Sequence, residues 1–93
     1  MPAFTTRVEL HDADPDDYEA LGREMEKEGF KQTITTDDDM TFRLPPAEFD
    51  LSGKYTRVQV LQKAKNAASR TRRVYEVLVT QSKGRSWFGL QKA

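Results

Sequence analysis

The sequence predicts a single α+β domain, residues 1–93, in which two helices cover one face of an antiparallel sheet. At 93 residues the chain has room for one hydrophobic core. Apolar and polar residues alternate in several segments, which is the pattern of half-buried strands. Two other segments begin with capping residues and repeat apolar side chains at helical spacing. The predicted order, β-α-β-β-α-β with an extra C-terminal strand, is that of the split βαβ, or ferredoxin-like, sandwich.

The first strand is predicted at residues 4–10, where Phe, Thr, Val and Leu alternate with polar side chains. A helix follows, because Asp14 can cap it, Pro15 suits its first turn, and the acids at 16 and 17 complement its dipole. Gly29 is placed to end the helix. Its predicted apolar face consists of Tyr18, Leu21 and Met25.

The middle of the chain predicts a hairpin. Residues 30–36 and 40–44 both alternate in polarity, and three aspartates at 37–39 separate them. Two prolines at 45–46 stop the second strand. The loop that follows has room for a short edge strand at 48–51.

The second helix is predicted to begin at Thr56. Gln59 completes a capping box, and Tyr55 can contact Val60 as a hydrophobic staple. The predicted core face is Leu61, Ala64 and Ala68. Strands are predicted at 74–80 and 86–90. The first of these leaves Val74 and Leu78 on its outer face, which suggests cover from the C-terminal strand or from a second subunit.

Composition excludes several classes of function. The chain has no cysteine, which excludes disulfides, thiolate metal sites and cysteine nucleophiles. No apolar run is long enough for a membrane span, and the N-terminus lacks the pattern of a signal peptide. We therefore expect a cytoplasmic protein with no membrane partner. No motif that reads DNA sequence is present.

The net charge of zero conceals a strong asymmetry. Residues 1–50 carry 14 acids and 5 bases, whereas residues 51–93 carry 1 acid and 10 bases, so the two parts sum to −9 and +9. Either the two parts neutralise each other within the chain, or the basic part binds phosphates. The cations predicted to bind RNA surround the second helix: Lys63, Lys65, Arg70, Arg72 and Arg73.

The best candidate for catalysis is His11-Asp12, at the end of the first strand. A histidine can transfer protons near neutral pH, and a carboxylate can hold a divalent ion such as Mg²⁺ against a phosphate. Neighbours on a strand point to opposite faces, however, and Asp12 also suits a strand-to-helix turn. The sequence leaves both interpretations open.

Segments along nearly the whole chain carry a family resemblance: residues 5–13, 17–21, 28–30, 44–45, 47–49, 75, 77–80, 87 and 89–90. They are similar to a group of small bacterial proteins placed with the endoribonuclease antitoxins of type V toxin–antitoxin systems (GhoS-like). The resemblance implies a ferredoxin-like fold, close to that of small CRISPR-associated nucleases, and cleavage of a toxin's mRNA. It also implies that Asp12 occupies the metal-binding position at the end of the first strand.

Two functional hypotheses follow. The first is an antitoxin-type RNA-binding protein that acts as a metal-dependent endoribonuclease on toxin mRNA, with Asp12 and His11 as catalytic residues. The second is a non-catalytic protein-interaction module that forms a homodimer through complementary charge.

Overall fold

A computed structural model describes residues 2–93 and contains two helices and five strands within them. In chain order the elements are β1 (Ala3–Leu10), α1 (Pro15–Lys27), β2 (Thr33–Thr35), β3 (Thr41–Arg43), β4 (Glu48–Ser52), α2 (Arg57–Ser69) and β5 (Tyr75–Ser82). The α+β class predicted from the sequence is confirmed.

The main sheet has the strand order β4-β1-β5, and β1 is antiparallel to both neighbours. Arg7 marks the register, because it lies opposite Glu48 on one side and Leu78 on the other. The even-numbered side chains of β1 are fully or nearly fully buried, and they share one core with residues of α1 and α2. Both helices therefore pack on the same face of this sheet, as the polarity pattern predicts.

In the middle of the chain, strand β4 differs most from the prediction. The segment predicted as a short edge strand pairs with β1 along five residues, and Asp50 on its other side exchanges two backbone hydrogen bonds with Lys31. Its Phe49 and Leu51 are buried in the core, which explains why the segment occupies an inner position. The β2–β3 hairpin is shorter than predicted and forms a separate two-stranded sheet.

The helix boundaries follow from their caps. Asp14 accepts a hydrogen bond from the backbone N–H of Asp17 and Thr56 accepts one from that of Gln59, so each helix begins with a complete capping box. Gly29, just beyond α1, has φ +96°, a conformation that favours glycine.

The core face of α2 differs from the predicted one, because Leu61 is replaced by Val60 and Ala67 is added. Val60, Ala64, Ala67 and Ala68 are fully buried, whereas Leu61 is only half-buried and lies outside the core cluster. The alanines keep α2 close to the sheet, and Leu61 is turned to one flank of the helix.

The predicted C-terminal strand at 86–90 is wrong, because the structure forms no strand there. The glycines at 84 and 89 have φ values of +147° and +79°, which interrupt the extended backbone a strand needs. The segment instead crosses to the hairpin, where Arg43 donates its backbone N–H to Gln91 O at 2.8 Å. Trp87 packs on Phe42 with ring centroids 5.4 Å apart.

Candidate functional site

The structure places His11 and Asp12 at the turn after β1. His11 Nε2 lies 2.9 Å from Glu76 Oε1 across the sheet. Asp12 is exposed and has φ +52°, a left-handed conformation that aspartate tolerates better than most residues. Asp12 therefore performs the turn role that the sequence left open, and His11 has a partner other than Asp12.

Among residues 2–93, the turn after β1 is not part of a cluster of metal-binding side chains. Within residues 2–93 there is no group of three or more histidine, aspartate or glutamate side chains that could hold a metal ion. Mg²⁺ requires several oxygen ligands in a near-octahedral arrangement. Asp12 offers one carboxylate toward such a set, and His11 lies against Glu76 instead.

Three of the five predicted RNA-binding cations contact the rest of the chain. Arg70 binds two carboxylates of the α1 segment, Glu24 at 2.6 Å and Glu28 at 2.9 Å, and Arg73 binds Asp17 at 3.1 Å. We call these contacts the α1–α2 ion pairs. The third cation, Lys63, points its Nζ toward Glu28 O at 3.4 Å.

These contacts shift the pKa values of some of the groups that they join. Hydrogen bonds from Lys27 and Arg70 hold the pKa of Glu24 below its ordinary value. The pKa of Asp17 is also lowered, first by the backbone N–H of Asp14 and then by Arg73. The two glutamates in turn raise the pKa of Arg70. These groups are therefore charged and paired at neutral pH.

Lys65 and Arg72 complete the predicted set, and both are exposed. Neither has a carboxylate partner within residues 2–93. The structure therefore leaves two of the five predicted cations available to a phosphate, while three are engaged by α1 and its C-cap. The charge asymmetry of the sequence is in part neutralised inside the chain.

The outer face of the main sheet also pairs its cations. Arg7 forms an ion pair with Glu9 on the same strand. Arg85, from the C-terminal segment, reaches across to donate to Thr5 Oγ1 and to bind the carboxylate of Asp50. A single-stranded nucleic acid needs free cations and exposed aromatic rings, and this face offers neither along β1.

Two open grooves lie beside α1, with volumes of about 640 and 710 Å³. In the first, the Tyr18 hydroxyl accepts the backbone N–H of Leu10 at 3.1 Å. Gln32 Nε2 in the same groove donates to Pro46 O at 2.8 Å. Both of these polar groups are used within the chain, and the charged residues Asp14, Glu19 and Arg43 also line the groove.

The outer edge of β5 is different, because no strand among residues 2–93 pairs with its backbone. His11 donates its N–H to Val74 O at 2.8 Å, and hydrogen-bonded pairs alternate along an antiparallel ladder. The even-numbered residues of β5 therefore bond to β1, and the odd-numbered ones point their N–H and C=O groups away from it. No strand of residues 2–93 pairs on that side. We call the backbone groups of Tyr75, Val77, Val79 and Gln81 the open β5 edge.

The side chains of β5 are consistent with an edge position. Tyr75, Val77 and Val79 pack against the core yet remain half-exposed. Leu78 points to the outer face and is 65% exposed. Natural edge strands usually carry lysine, proline or a bulge that prevents pairing, whereas β5 contains neither residue type and its register with β1 has no break.

Sequence reasoning located this strand but missed its edge. The relevant signal in the sequence was the pair of aliphatic side chains on the outer face of this strand, Val74 and Leu78. Their position suggested cover by the C-terminal strand or by a second subunit. The C-terminal segment leaves Val74 and Leu78 71% and 65% exposed. That an edge of β5 is open follows from the pairing of all the strands, which no local pattern contains.

Comparison with protein-family models, with curated proteins and with solved structures finds no match to this chain. The resemblance to type V antitoxins therefore stays a prediction. The structure contains no helix, within residues 2–93, that is long and apolar enough to cross a membrane.

Proposed function

We propose that this protein is a non-catalytic protein-interaction module that binds an extended protein segment at the open β5 edge. The single observation that carries the proposal is the row of unpaired N–H and C=O groups along β5. An added strand would satisfy these groups, and recognition of this type obtains its affinity from main-chain hydrogen bonds. The paired cations and the lone Asp12 give less support to a phosphate-binding or catalytic role.

The test uses a peptide that can pair along one edge only, which we call the singly edged peptide. Its sequence copies residues 75–82, with N-methyl groups at the positions that correspond to 76, 78 and 80, so that it cannot aggregate. We expect NMR to show shifted amide resonances and slowed hydrogen exchange at Val77 and Val79. The matched control carries methyl groups at every position from 76 to 81, which blocks both of its edges. Equal effects of the two peptides, or no effect of either at a concentration where the chain is monomeric, would refute the proposal.

The fold that best accounts for this edge is the ferredoxin-like sandwich. The support is that β4 and β5 flank β1, are both antiparallel to it, and are joined through α2. The Lys31–Asp50 bridge brings the segment after α1 beside β4, where that fold has its remaining strand. An experimental structure with a strand at residue 31 hydrogen-bonded to β4 is the expected result.

RNA binding and cleavage by an antitoxin-type protein stay predictions, as does a cytoplasmic location. A direct assay incubates the purified protein with single-stranded RNA, with and without Mg²⁺, and measures both retardation and cleavage. Cleavage that requires Mg²⁺ and is lost in Asp12→Asn would favour the nuclease over the interaction module.

A further inference from the structure

The open β5 edge is self-complementary. Its four residues, Tyr75, Val77, Val79 and Gln81, are spaced symmetrically about Leu78. Two copies of β5 that run antiparallel with Leu78 opposite Leu78 therefore match every open residue of one copy with an open residue of the other. Tyr75 then pairs with Gln81, and Val77 pairs with Val79. Each such pair exchanges two hydrogen bonds.

Neighbouring registers are less favourable. Centring the pair on Val77 places Gln81 opposite Arg73, and centring it on Val79 places Tyr75 opposite Lys83, in both cases outside the strand. Centring it on Glu76 places two carboxylates directly opposite, which is destabilising. The register centred on Leu78 instead sets Glu76 opposite Thr80.

The side chains fit the same register. In it, Leu78 of each copy occupies a non-hydrogen-bonded position, where opposed side chains are closest, with Cα atoms about 4.5 Å apart. The two outward leucines, each 65% exposed in the single chain, would bury each other. On the helix face, Val77 and Val79 meet across the new pair and lose their remaining exposure.

The flank of α2 above this edge carries two aliphatic side chains, Leu61 and Val58, beside the exposed cation Lys65. Lys63 and Arg70 contact Glu28 and Glu24 and so define the flank that faces α1. At 100° per residue, Leu61 and Val58 lie on the opposite flank. Leu61 is half-buried and Val58 is 74% exposed, although both are aliphatic. A partner aligned along β5 would bring apolar surface toward this flank.

We propose that the segment bound at the open β5 edge is β5 of a second copy of this chain, paired antiparallel with Leu78 opposite Leu78. This inference rests on the proposed function and names its partner. The product is a homodimer with a continuous six-stranded sheet, both helix layers on one face. The sequence suggested a homodimer that forms through complementary charge. This proposal assigns the homodimer to backbone pairing instead, because Arg70 and Arg73 already bind carboxylates of their own chain.

The experiment measures the monomer–dimer equilibrium of the full chain by sedimentation equilibrium over a concentration series. Leu78→Asp and Leu78→Lys each set like charges directly opposite and remove the leucine contact, so each should weaken the dimer by about tenfold or more. An equimolar mixture of the two variants sets opposite charges across the pair and should restore association. The control Phe88→Asp changes a side chain that is 99% exposed in the C-terminal segment, and should leave the equilibrium unchanged.

The outcomes separate the two proposals. Dimers that are lost in each Leu78 variant and recovered in the mixture support the register. A mixture that stays monomeric, or a wild-type chain that stays monomeric at millimolar concentration, overturns self-pairing. If such a monomer still binds the singly edged peptide, the interaction module stands without the homodimer. If the monomeric chain binds neither the peptide nor a second copy of itself, both proposals are wrong.

Discussion

Thr6 is the only buried polar residue among residues 2–93, and its hydroxyl has no hydrogen-bond partner. A buried hydroxyl without a partner costs the free energy of removing it from water. Thr6→Val keeps the shape of the side chain, so we expect it to raise the free energy of unfolding by about 1 kcal/mol. Urea unfolding would measure this. The control is Thr5→Val on the opposite face, which should bring no gain because Thr5 Oγ1 accepts a hydrogen bond from Arg85. A loss of stability in Thr6→Val would show that the hydroxyl has a partner in solution.

At Glu24 the α1–α2 ion pairs make stability depend on pH. Lys27 and Arg70 lower the folded-state pKa of Glu24 below its ordinary value of 4.5. The ionised form therefore stabilises the fold above that value, and its contribution is lost as the pH falls through the folded pKa. We expect Arg70→Ala to lower the urea midpoint at pH 7, with a difference from wild type that shrinks below pH 4.5. Lys65→Ala, without an ion pair in residues 2–93, should show no such trend. A difference for Arg70→Ala that is constant from pH 7 to pH 3 would contradict the pairing.

The left-handed turn conformation of Asp12 can be tested by substitution. Its φ of +52° is tolerated by asparagine but strains a β-branched residue. Asp12→Asn should change the free energy of unfolding by less than about 0.5 kcal/mol, whereas Asp12→Val should cost about 1–2 kcal/mol. Thermal and urea unfolding of the two variants check this. Equal stability of Asn and Val variants would show that the turn has another conformation.

Among the elements, β5 decides how the molecule can associate, and its ladder can be tested with proline. The backbone N–H of Thr80 points toward β1, whereas that of Gln81 points to the open β5 edge. Proline is tolerated in a strand where the lost N–H faces solvent. We therefore expect Thr80→Pro to destabilise the fold by about 1–3 kcal/mol more than Gln81→Pro. Gln81→Pro should still unfold cooperatively and should bind the singly edged peptide more weakly. The reverse order of stability would place the open groups on the even-numbered residues.

The parts of the fold that could be predicted are those fixed by neighbouring residues in the sequence. Strand β1 and both helix starts follow from local patterns, because alternation and capping boxes act over a few residues. The position of β4 does not, since its inner place comes from burying Phe49 and Leu51 against partners distant in sequence. The predicted strand at 86–90 failed because its alternation is local, while the glycines and the absence of a pairing strand decide its conformation.

For the candidate site, sequence patterns identified the residue types and missed their partners. Arg70 and Arg73 were singled out correctly as a dense basic segment, but their engagement by α1 requires the packing of one helix against the other. The outward position of Leu78 was predicted, and the structure confirms it. That β5 lacks a second neighbour could not be predicted, because it is a property of the whole sheet.

At the scale of the whole molecule, the opposite charges of the two halves are expected to act within the chain rather than on RNA. If so, only Lys65 and Arg72 of the five predicted cations remain to neutralise phosphates. The slope that the predicted set contributes to the log–log salt dependence of binding to single-stranded RNA should then be about −0.7 to −1.4, the value for one or two phosphates. Filter binding with a labelled oligonucleotide from 50 to 300 mM salt, over which the Debye length falls by more than half, would measure it. Replacing Arg70 and Arg73 by alanine should leave that slope unchanged, because both arginines already bind carboxylates. The matched variant removes Lys65 and Arg72, the two predicted cations without such partners, and should flatten whatever slope exists. A steep slope, near −3.5 for five phosphates, that is lost with Arg70 and Arg73 would instead show that RNA displaces α1 from these cations, and would restore the basic segment as an RNA-binding surface.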